Sequence, residues 1–265
     1  MSAPTSATQP AAVSGTGHPP GASGPAVAVT ALGWISLVLL LDADGSLWLQ
    51  RGLGLATWAV LLLVLRAELP LVRVQTGVVV VVATAVEYTF SPLLEVYTYR
   101  FDNVPAYVPP GHGLVYIAAL ALGRSLLVRA HLRLCTALVL AVGGCWAAYG
   151  VTLADRPDML GLFWFCCLAG FLFWGPSGPL YVGAFIVVSY LEIVGTALGT
   201  WQWQPQDPTG LVSIGNPPSG AAGGYGWFDL YALLLAGPLL VRWRRLRAGG
   251  RPTDSPASAM TPDER

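Results

Sequence analysis

Residues 84–113 read TAVEYTFSPLLEVYTYRFDNVPAYVPPGHG, and residues 189–220 read SYLEIVGTALGTWQWQPQDPTGLVSIGNPPSG. Each stretch begins as an apolar run that holds a single glutamate, Glu87 or Glu192, and each ends in a loop that closes on a Pro-Pro pair. An aromatic-x-aromatic step follows each apolar run, as Tyr97-x-Tyr99 and as Trp201-x-Trp203. The two stretches therefore predict one device, an intramembrane carboxylate with its own covering loop, that occurs twice in the chain.

The composition around these stretches is that of a membrane protein. Of the 265 residues, 54% are hydrophobic and only 11% are charged, whereas soluble domains carry about 25% charged residues. The mean hydropathy is +0.60. Long apolar runs with this composition predict an all-α fold, a polytopic bundle of transmembrane helices whose partner is the lipid bilayer.

The charged residues exclude several classes of chemistry. The chain contains no lysine, which rules out Schiff-base catalysis, a retinal linkage and a P-loop. The formal net charge is zero and no basic stripe is present, so nucleic acid is not an expected partner. The sequence leaves the oligomeric state open.

Apolar runs of membrane-spanning character occur about eight times. They cover about 26–41, 53–66, 74–94, 113–128, 134–153, 159–175, 179–200 and 226–243. We therefore expect a disordered tail at 1–25, a transmembrane domain at 26–243, and an Arg-rich tail at 244–265 that becomes disordered. The two glutamate stretches lie four spans apart, which predicts a parallel internal repeat of 26–128 and 134–243.

The arginines predict the orientation of these spans. With eight spans, eleven arginines fall on the side that holds both termini, and the other side holds only Arg51, Arg100 and Arg156. The positive-inside rule then places both termini in the cytoplasm of a multi-pass cell-membrane protein. The loops 95–112 and 201–225 are expected to face outward over a shared mouth.

Glu87 and Glu192 are the first candidates for catalytic residues. A charged side chain at the centre of a membrane helix costs about 2.5–3.5 kcal/mol on insertion scales, so such residues usually face a cavity and serve a function. Burial favours the protonated carboxyl, which is a proton donor suited to general acid catalysis. The alternative is a structural glutamate that forms a hydrogen bond to a neighbouring helix and stabilises their packing.

Two further carboxylates are candidates for the same site. Glu95 lies eight residues after Glu87, on the same helical face at the membrane edge, where it is either a site residue or a solvated end residue. Asp229 opens the last span, where it either interacts with the helix N-terminus or points into the mouth as a third catalytic carboxylate.

Candidate substrate-binding residues surround these acids. Aromatic rings at the predicted interfaces either form the usual belt of membrane proteins or line a pocket for a polyene or a carbocation. His112 is a candidate proton relay, and Asn216 either forms a hydrogen bond to a substrate or caps a turn. The full set is Tyr97, Tyr99, His112, Trp201, Trp203, Asn216 and Tyr225. No residues have metal-ligand spacing, so neither a metal nor another cofactor is expected.

One part of the first stretch resembles a known group of proteins. Glu87, Tyr97, Tyr99 and Val104-Pro105, with Pro109-Pro110, follow the order seen in small polytopic membrane proteins of carotenoid biosynthesis. These include the carotenoid hydratases of bacterioruberin-type pathways and, more distantly, the small membrane lycopene cyclases and meroterpenoid cyclases. The resemblance covers about 30 residues, and it implies acid-initiated isoprenoid chemistry without a metal.

Three functional hypotheses follow. The first is an integral membrane enzyme that cyclises or hydrates an apolar isoprenoid, polyene or lipid by protonation from an intramembrane glutamate. The second is a small transporter or proton-coupled carrier, because parallel repeats and mid-membrane carboxylates occur there as well. The third is a non-enzymatic scaffold or lipid-binding partner, which predicts that no closed cavity joins the two glutamates.

Overall fold

The computed structural model describes residues 24–249 as a bundle of α-helices with one short pair of strands. The helices are α1 (Pro25–Ala43), α2 (Leu47–Arg66), α3 (Pro70–Tyr88), α4 (Val108–Gly123), α5 (Leu126–Ala130), α6 (Leu132–Thr152), α7 (Met159–Trp174), α8 (Gly178–Ala197) and α9 (Ala221–Gly249). The strands are β1 (Tyr97–Tyr99) and β2 (Trp201–Trp203), and a π-helical turn, Thr89–Leu93, extends α3. The prediction of an all-α helical bundle is confirmed.

Six helices in this part of the chain are long and apolar enough to cross a membrane. They are α1, α2, α3 with its π-helical extension, α6, α8 and α9. The apolar helices α4 and α7 have 16 residues each. At a rise of 1.5 Å per residue they measure about 24 Å, less than the hydrocarbon core of about 30 Å. Each predicted span overlaps a helix, and the span at 113–128 covers parts of both α4 and α5. The count of eight crossings stays a prediction.

Helices α2, α3, α4 and α9 each begin four to six residues before the predicted span, and the errors at α4 and α9 affect the site. Helix α4 begins at Val108 rather than near 113, because prolines are well tolerated in a first helical turn. Helix α9 begins at Ala221 rather than near 226. Its glycines are poor helix formers, but Gly223 lets α9 lie against the backbone of Trp164, where any side chain would overlap. Residues 108–112 and 221–225 are therefore helical and do not belong to the loops.

Four helices form the centre of the bundle. Helix α4 packs against α3 and α8, and α9 packs against the same two helices. Close approach is built into this arrangement, because a side chain at Gly183 of α8 would overlap the carbonyl of Ala119 in α4. Helices α1 and α2 cover α4, while α7 covers α9 and contacts α6. The two glutamate helices, α3 and α8, thus occupy opposite corners of the centre.

The strands mark one end of the bundle, which we call the strand end. Strand β1 follows α3 and β2 follows α8, and the two pair antiparallel. Consequently α3 and α8 run toward the strand end, whereas α4 and α9 run away from it. The turn between α2 and α3 and the end of α4 lie at the opposite end.

The predicted tails lie mostly outside the described residues. Within 24–249, Pro25 begins α1 and residues 244–249 continue α9, so the Arg-rich segment starts as helix. The internal repeat, its division into 26–128 and 134–243, and the assignment of the strand end to the outer face stay predictions.

Candidate functional site

Glu87 lies in the last turn of α3, immediately before the π-helical turn Thr89–Leu93. Its Oε2 accepts hydrogen bonds from the phenols of Tyr97 (2.9 Å) and Tyr99 (2.8 Å). Its Oε1 lies 2.8 Å from Nε2 of His112 on α4. Glu87 is only 6% exposed, so three side chains from two other elements hold a carboxyl group inside the protein.

Glu192 occupies the corresponding place on α8 and is 2% exposed. Its Oε2 accepts hydrogen bonds from the indole nitrogens of Trp201 and Trp203, each at 3.1 Å. Gly195 lies one turn further along α8, and a side chain there would overlap the ring of Trp201. The glycine therefore provides the space in which this indole reaches the carboxyl group.

The strand pair brings these four aromatic donors together. Tyr97 lies opposite Trp203, and Tyr99 lies opposite Trp201. Because side chains alternate along a strand, all four rings point to the same face of the pair, toward the bundle. The ring centroids of Tyr97 and Trp203 are 4.5 Å apart, and those of Tyr99 and Trp201 are 6.2 Å apart. One strand bonds Glu87 and the other bonds Glu192, so the pairing connects both carboxyl groups.

A single cavity of about 370 Å³ borders both carboxyl groups. Its walls are mainly apolar and aromatic. Eight of the predicted site residues line it: Glu87, Glu192, Tyr97, Tyr99, His112, Trp201, Trp203 and Tyr225. The scaffold hypothesis predicts no closed cavity joining the two glutamates, whereas this cavity borders both of them.

His112 lies inside the protein on α4 rather than in a surface loop. Its ring centroid is 5.2 Å from that of Tyr225 and 5.6 Å from that of Phe228, both on α9. While Nε2 faces Glu87, the buried Nδ1 has no hydrogen-bond partner in the described part of the chain. An imidazole with one nitrogen on a carboxyl group and the other unoccupied has the chemistry of a proton relay.

The tyrosines of β1 act as permanent donors. Burial raises the pKa of the Tyr97 and Tyr99 phenols well above the usual value, and the adjacent Glu87 carboxyl raises it further. Both phenols therefore keep their protons at any physiological pH. An indole nitrogen is likewise only a donor. All four strand aromatics thus orient a carboxyl group and none competes with it for a proton.

Asn216 stabilises the segment between β2 and α9 and lies outside the cavity. Its Oδ1 accepts the backbone N–H of Trp203 at 3.0 Å, and it does not line the cavity. Arg156 supports the same segment, because its guanidinium donates to the carbonyls of Trp203 (2.6 Å) and Ile214 (2.5 Å). The predicted substrate contact is therefore replaced by a structural one that fixes β2.

Asp158 is a second anchor of this loop. It caps α7 by accepting the N–H of Gly161 at 2.9 Å. It also accepts the N–H groups of Gly215 (2.8 Å) and Ser219 (2.7 Å). One buried carboxyl group thereby joins the start of α7 to the segment that precedes α9.

The other two predicted carboxylates do not join the cavity. Glu95 follows the π-helical turn at φ 51°, where the helix has ended, and it is exposed outside the cavity. Asp229 lies eight residues inside α9, so it does not open or cap that helix. It is 5% exposed, does not line the cavity, and its Oδ2 has no partner in the described part of the chain.

Sequence reasoning missed residues that other helices contribute. Trp34 of α1, Trp164 of α7 and Tyr231 of α9 line the cavity. A single aromatic residue in an apolar helix carries no periodic signal that shows which way it faces. Asp42, at the end of α1, accepts a hydrogen bond from the phenol of Tyr107 at 2.8 Å and thereby anchors the loop between β1 and α4. Its sequence context indicated only a turn.

Within residues 24–249, no cluster of three His, Cys, Asp or Glu side chains is arranged to hold a metal ion. No protein-family model matches the chain, and neither a curated protein nor a solved structure gives a match. The chemistry of the site must therefore be inferred from its own geometry.

Proposed function

We propose that the protein is an integral membrane enzyme that protonates an alkene or epoxide of an apolar isoprenoid and directs the cation to ring closure or hydration. The observation that carries the proposal is that Glu87 and Glu192, from different helices, border one aromatic-walled cavity. The resemblance of Glu87, Tyr97 and Tyr99 to the small membrane proteins of carotenoid and terpenoid biosynthesis supports the same reaction class.

Glu192 is the better acid of the two. Both of its hydrogen bonds fall on Oε2, which leaves Oε1 to carry a proton toward the cavity. It makes no ion pair with any described residue. Burying a charged carboxylate without a cation costs more free energy than burying the neutral carboxyl group, and the neutral form is the one that can donate a proton. In the first step the O–H bond of Glu192 breaks. With an alkene, a C–H bond forms and the π bond breaks, and with an epoxide, an O–H bond forms on the ring oxygen and a C–O bond breaks.

Glu87 with His112 is the matching base. Glu87 uses both oxygens and accepts two phenol hydrogen bonds, an environment that suits a carboxylate. The carbocation loses a proton from carbon, or binds water that then loses a proton, and Glu87 or His112 receives it. The cavity's tryptophan and tyrosine faces stabilise the positive charge in between.

The small volume of the cavity favours a reaction at one end of a long apolar substrate, with only that end inside the cavity. A volume of about 370 Å³ is near the lower end of the 300–1,000 Å³ typical of small-molecule pockets. Trp227 and Tyr231 of α9 line the cavity and are also 44% and 46% exposed. We infer that an isoprenoid dissolved in the bilayer enters beside these two residues, with its remainder lying among lipids.

The test is product formation from isoprenoid substrates by membranes that contain the full-length protein. Lipid extracts are compared by mass spectrometry for the wild type, Glu192→Gln, Glu87→Gln and the matched control Glu95→Gln, at equal protein yield. We expect the first two variants to lose the product and the control to retain it. Full activity in both Glu192→Gln and Glu87→Gln would overturn the proposal.

A further inference from the structure

A group of buried polar atoms begins at His112 in the cavity wall and continues beyond the cavity. It comprises Nδ1 of His112, the hydroxyls of Tyr116 and Tyr181, Oδ2 of Asp229 and both carboxyl oxygens of Glu68. None of these atoms has a hydrogen-bond partner among residues 24–249. Buried polar groups in native proteins almost always have a partner, and internal water is the usual one when side chains are too far apart.

Helix geometry orders these groups from the cavity inward. Tyr116 lies four residues after His112 on α4, and Asp229 lies four residues after Tyr225 on α9. Residues four apart share a helix face, and both helices run away from the strand end. The rings of His112 and Tyr225 are 5.2 Å apart, so the two residues lie at a similar level in the bundle. Tyr116 and Asp229 each follow one turn later on these helices and therefore lie one turn closer to the opposite end.

The same groups continue to the opposite end of the bundle. Asp229 is within electrostatic range of the phenols of both Tyr116 and Tyr181. Tyr116 is also within range of Glu68 and Arg124. Nη1 of Arg124 lies 3.8 Å from Oε2 of Glu68, in the region where α2 ends and α4 ends. Polar groups therefore extend from His112 to a partly exposed ion pair.

We propose that Tyr116, Tyr181 and Asp229, bridged by water molecules, form a proton path between the His112–Glu87 pair and the opposite end of the bundle. Asp229 is the proton-holding group of this path, since it is the one carboxyl group in it without a cation beside it. For a proton that leaves the site, Asp229 releases its proton through water toward bulk solvent near Glu68 and accepts the Nδ1–H proton of His112, while Nε2 takes the proton of Glu87. The imidazole is then the Nε2–H tautomer and returns to the Nδ1–H tautomer before the next transfer.

The need for such a path rests on the proposed function. When acid and base are different residues, the base must lose a proton and the acid must regain one after each turnover. An apolar substrate that fills the cavity keeps water away from Glu87 on that side. A path on the far side of His112 lets Glu87 lose its proton while the substrate or product is still bound.

Infrared difference spectroscopy on the full chain in lipid nanodiscs tests the path without any substrate. Transfer from H₂O to D₂O should shift the C=O band of a protonated carboxyl group. Asp229 and Glu192 should each contribute such a band. We expect Asp229→Asn to remove one of them, Glu192→Gln to remove the other, and the exposed-site control Glu95→Gln to keep both. A wild-type protein that shows no exchanging band assignable to Asp229 would overturn the proposal.

The tyrosines are tested through the rate of the same exchange. Replacing Tyr116 and Tyr181 by phenylalanine removes two hydroxyls and leaves the packing volume nearly unchanged. We expect the exchange of the Asp229 proton to slow by about tenfold or more, whereas Tyr149→Phe on the exposed side of α6 leaves the rate unchanged. An unchanged rate in the double variant would mean that protons reach Asp229 by another route.

Turnover separates a failure of this inference from a failure of the proposed function. If the reaction occurs, Asp229→Asn should lower kcat with little change in KM, and Asp229→Glu should restore most of the loss. If Glu192→Gln abolishes the product while Asp229→Asn keeps the full rate, the reaction stands and the proton path is wrong. If the exchange behaves as expected but no isoprenoid is converted, the path stands and the proposed function is wrong.

Discussion

Tyr97 and Trp203 lie opposite each other across the strand pair, with ring centroids 4.5 Å apart, and each donates a hydrogen bond to a different glutamate. The two carboxyl groups are therefore not independent. A displacement of β1 would change the hydrogen bonding of Glu87, a displacement of β2 would change that of Glu192, and the pairing joins the two strands. This relationship also explains why the strand pair is only three residues long, since it serves to present four rings to the bundle.

We expect the phenol of Tyr97 to be needed for activity but not for folding. Tyr97→Phe removes one of two phenol donors to Glu87, and a hydrogen bond to a charged group is worth about 1.5–3 kcal/mol. Product formation should fall by about tenfold to a hundredfold, at an unchanged size-exclusion profile. Tyr88→Phe is the control, because Tyr88 is next to Glu87 in sequence and is exposed. Equal activity in the two variants would contradict a role for the Tyr97 phenol.

Gly195 should not tolerate a methyl group, although alanine is the better helix former. Gly195→Ala overlaps the ring of Trp201 and so displaces an indole donor of Glu192. We expect a lower melting temperature and weaker product formation. Gly170→Ala on α7, where nothing lies within 4 Å of the new atom, should instead gain about 0.5–1 kcal/mol from helix propensity. A Gly195→Ala variant as stable as Gly170→Ala would show that Trp201 has room to move.

Asp158, which lies between α6 and α7, should stabilise the segment between β2 and α9 through direct hydrogen bonds. Asp158→Asn places an amide where three backbone N–H groups converge, so at least one of them loses its acceptor. Each buried donor left unpaired costs about 1–3 kcal/mol, and thermal unfolding in detergent should report this loss. Asp155→Asn changes an exposed residue of the same loop and should leave the melting temperature within error. Identical melting curves for the two variants would count against the anchor.

The orientation in the membrane can be measured by cysteine labelling. In a background with all four native cysteines replaced, Gln202→Cys reports the strand end and Ala130→Cys reports the opposite end, and both positions are exposed. The distribution of arginines predicts that an impermeant thiol reagent added to intact cells labels only the first. Labelling of Ala130→Cys alone would invert the predicted topology.

The sequence was sufficient for the parts of the fold that depend on local patterns. Apolar runs located all eight principal helices, and the single glutamates in the runs before β1 and β2 identified Glu87 and Glu192. The strands β1 and β2 were not predicted, and their alternation explains why the aromatic-x-aromatic steps place all four rings on one face. Helix starts at Val108 and Ala221 were missed because prolines and glycines usually mark loops, and here contacts with other helices outweigh that preference.

What the chain determined by itself is a membrane bundle that carries two aromatic-flanked carboxyl groups, since hydropathy and periodicity are local properties. Only the tertiary structure decided that Tyr97 faces Trp203, that His112 reaches Glu87 from 25 positions away, and that Asn216 serves the loop. It also separated Asp229 from the cavity and brought it within electrostatic range of Tyr116 and Tyr181. The physical reason is that these contacts depend on how α3, α4, α8 and α9 pack, and helix packing is set by side-chain shape across the whole bundle rather than by any one segment.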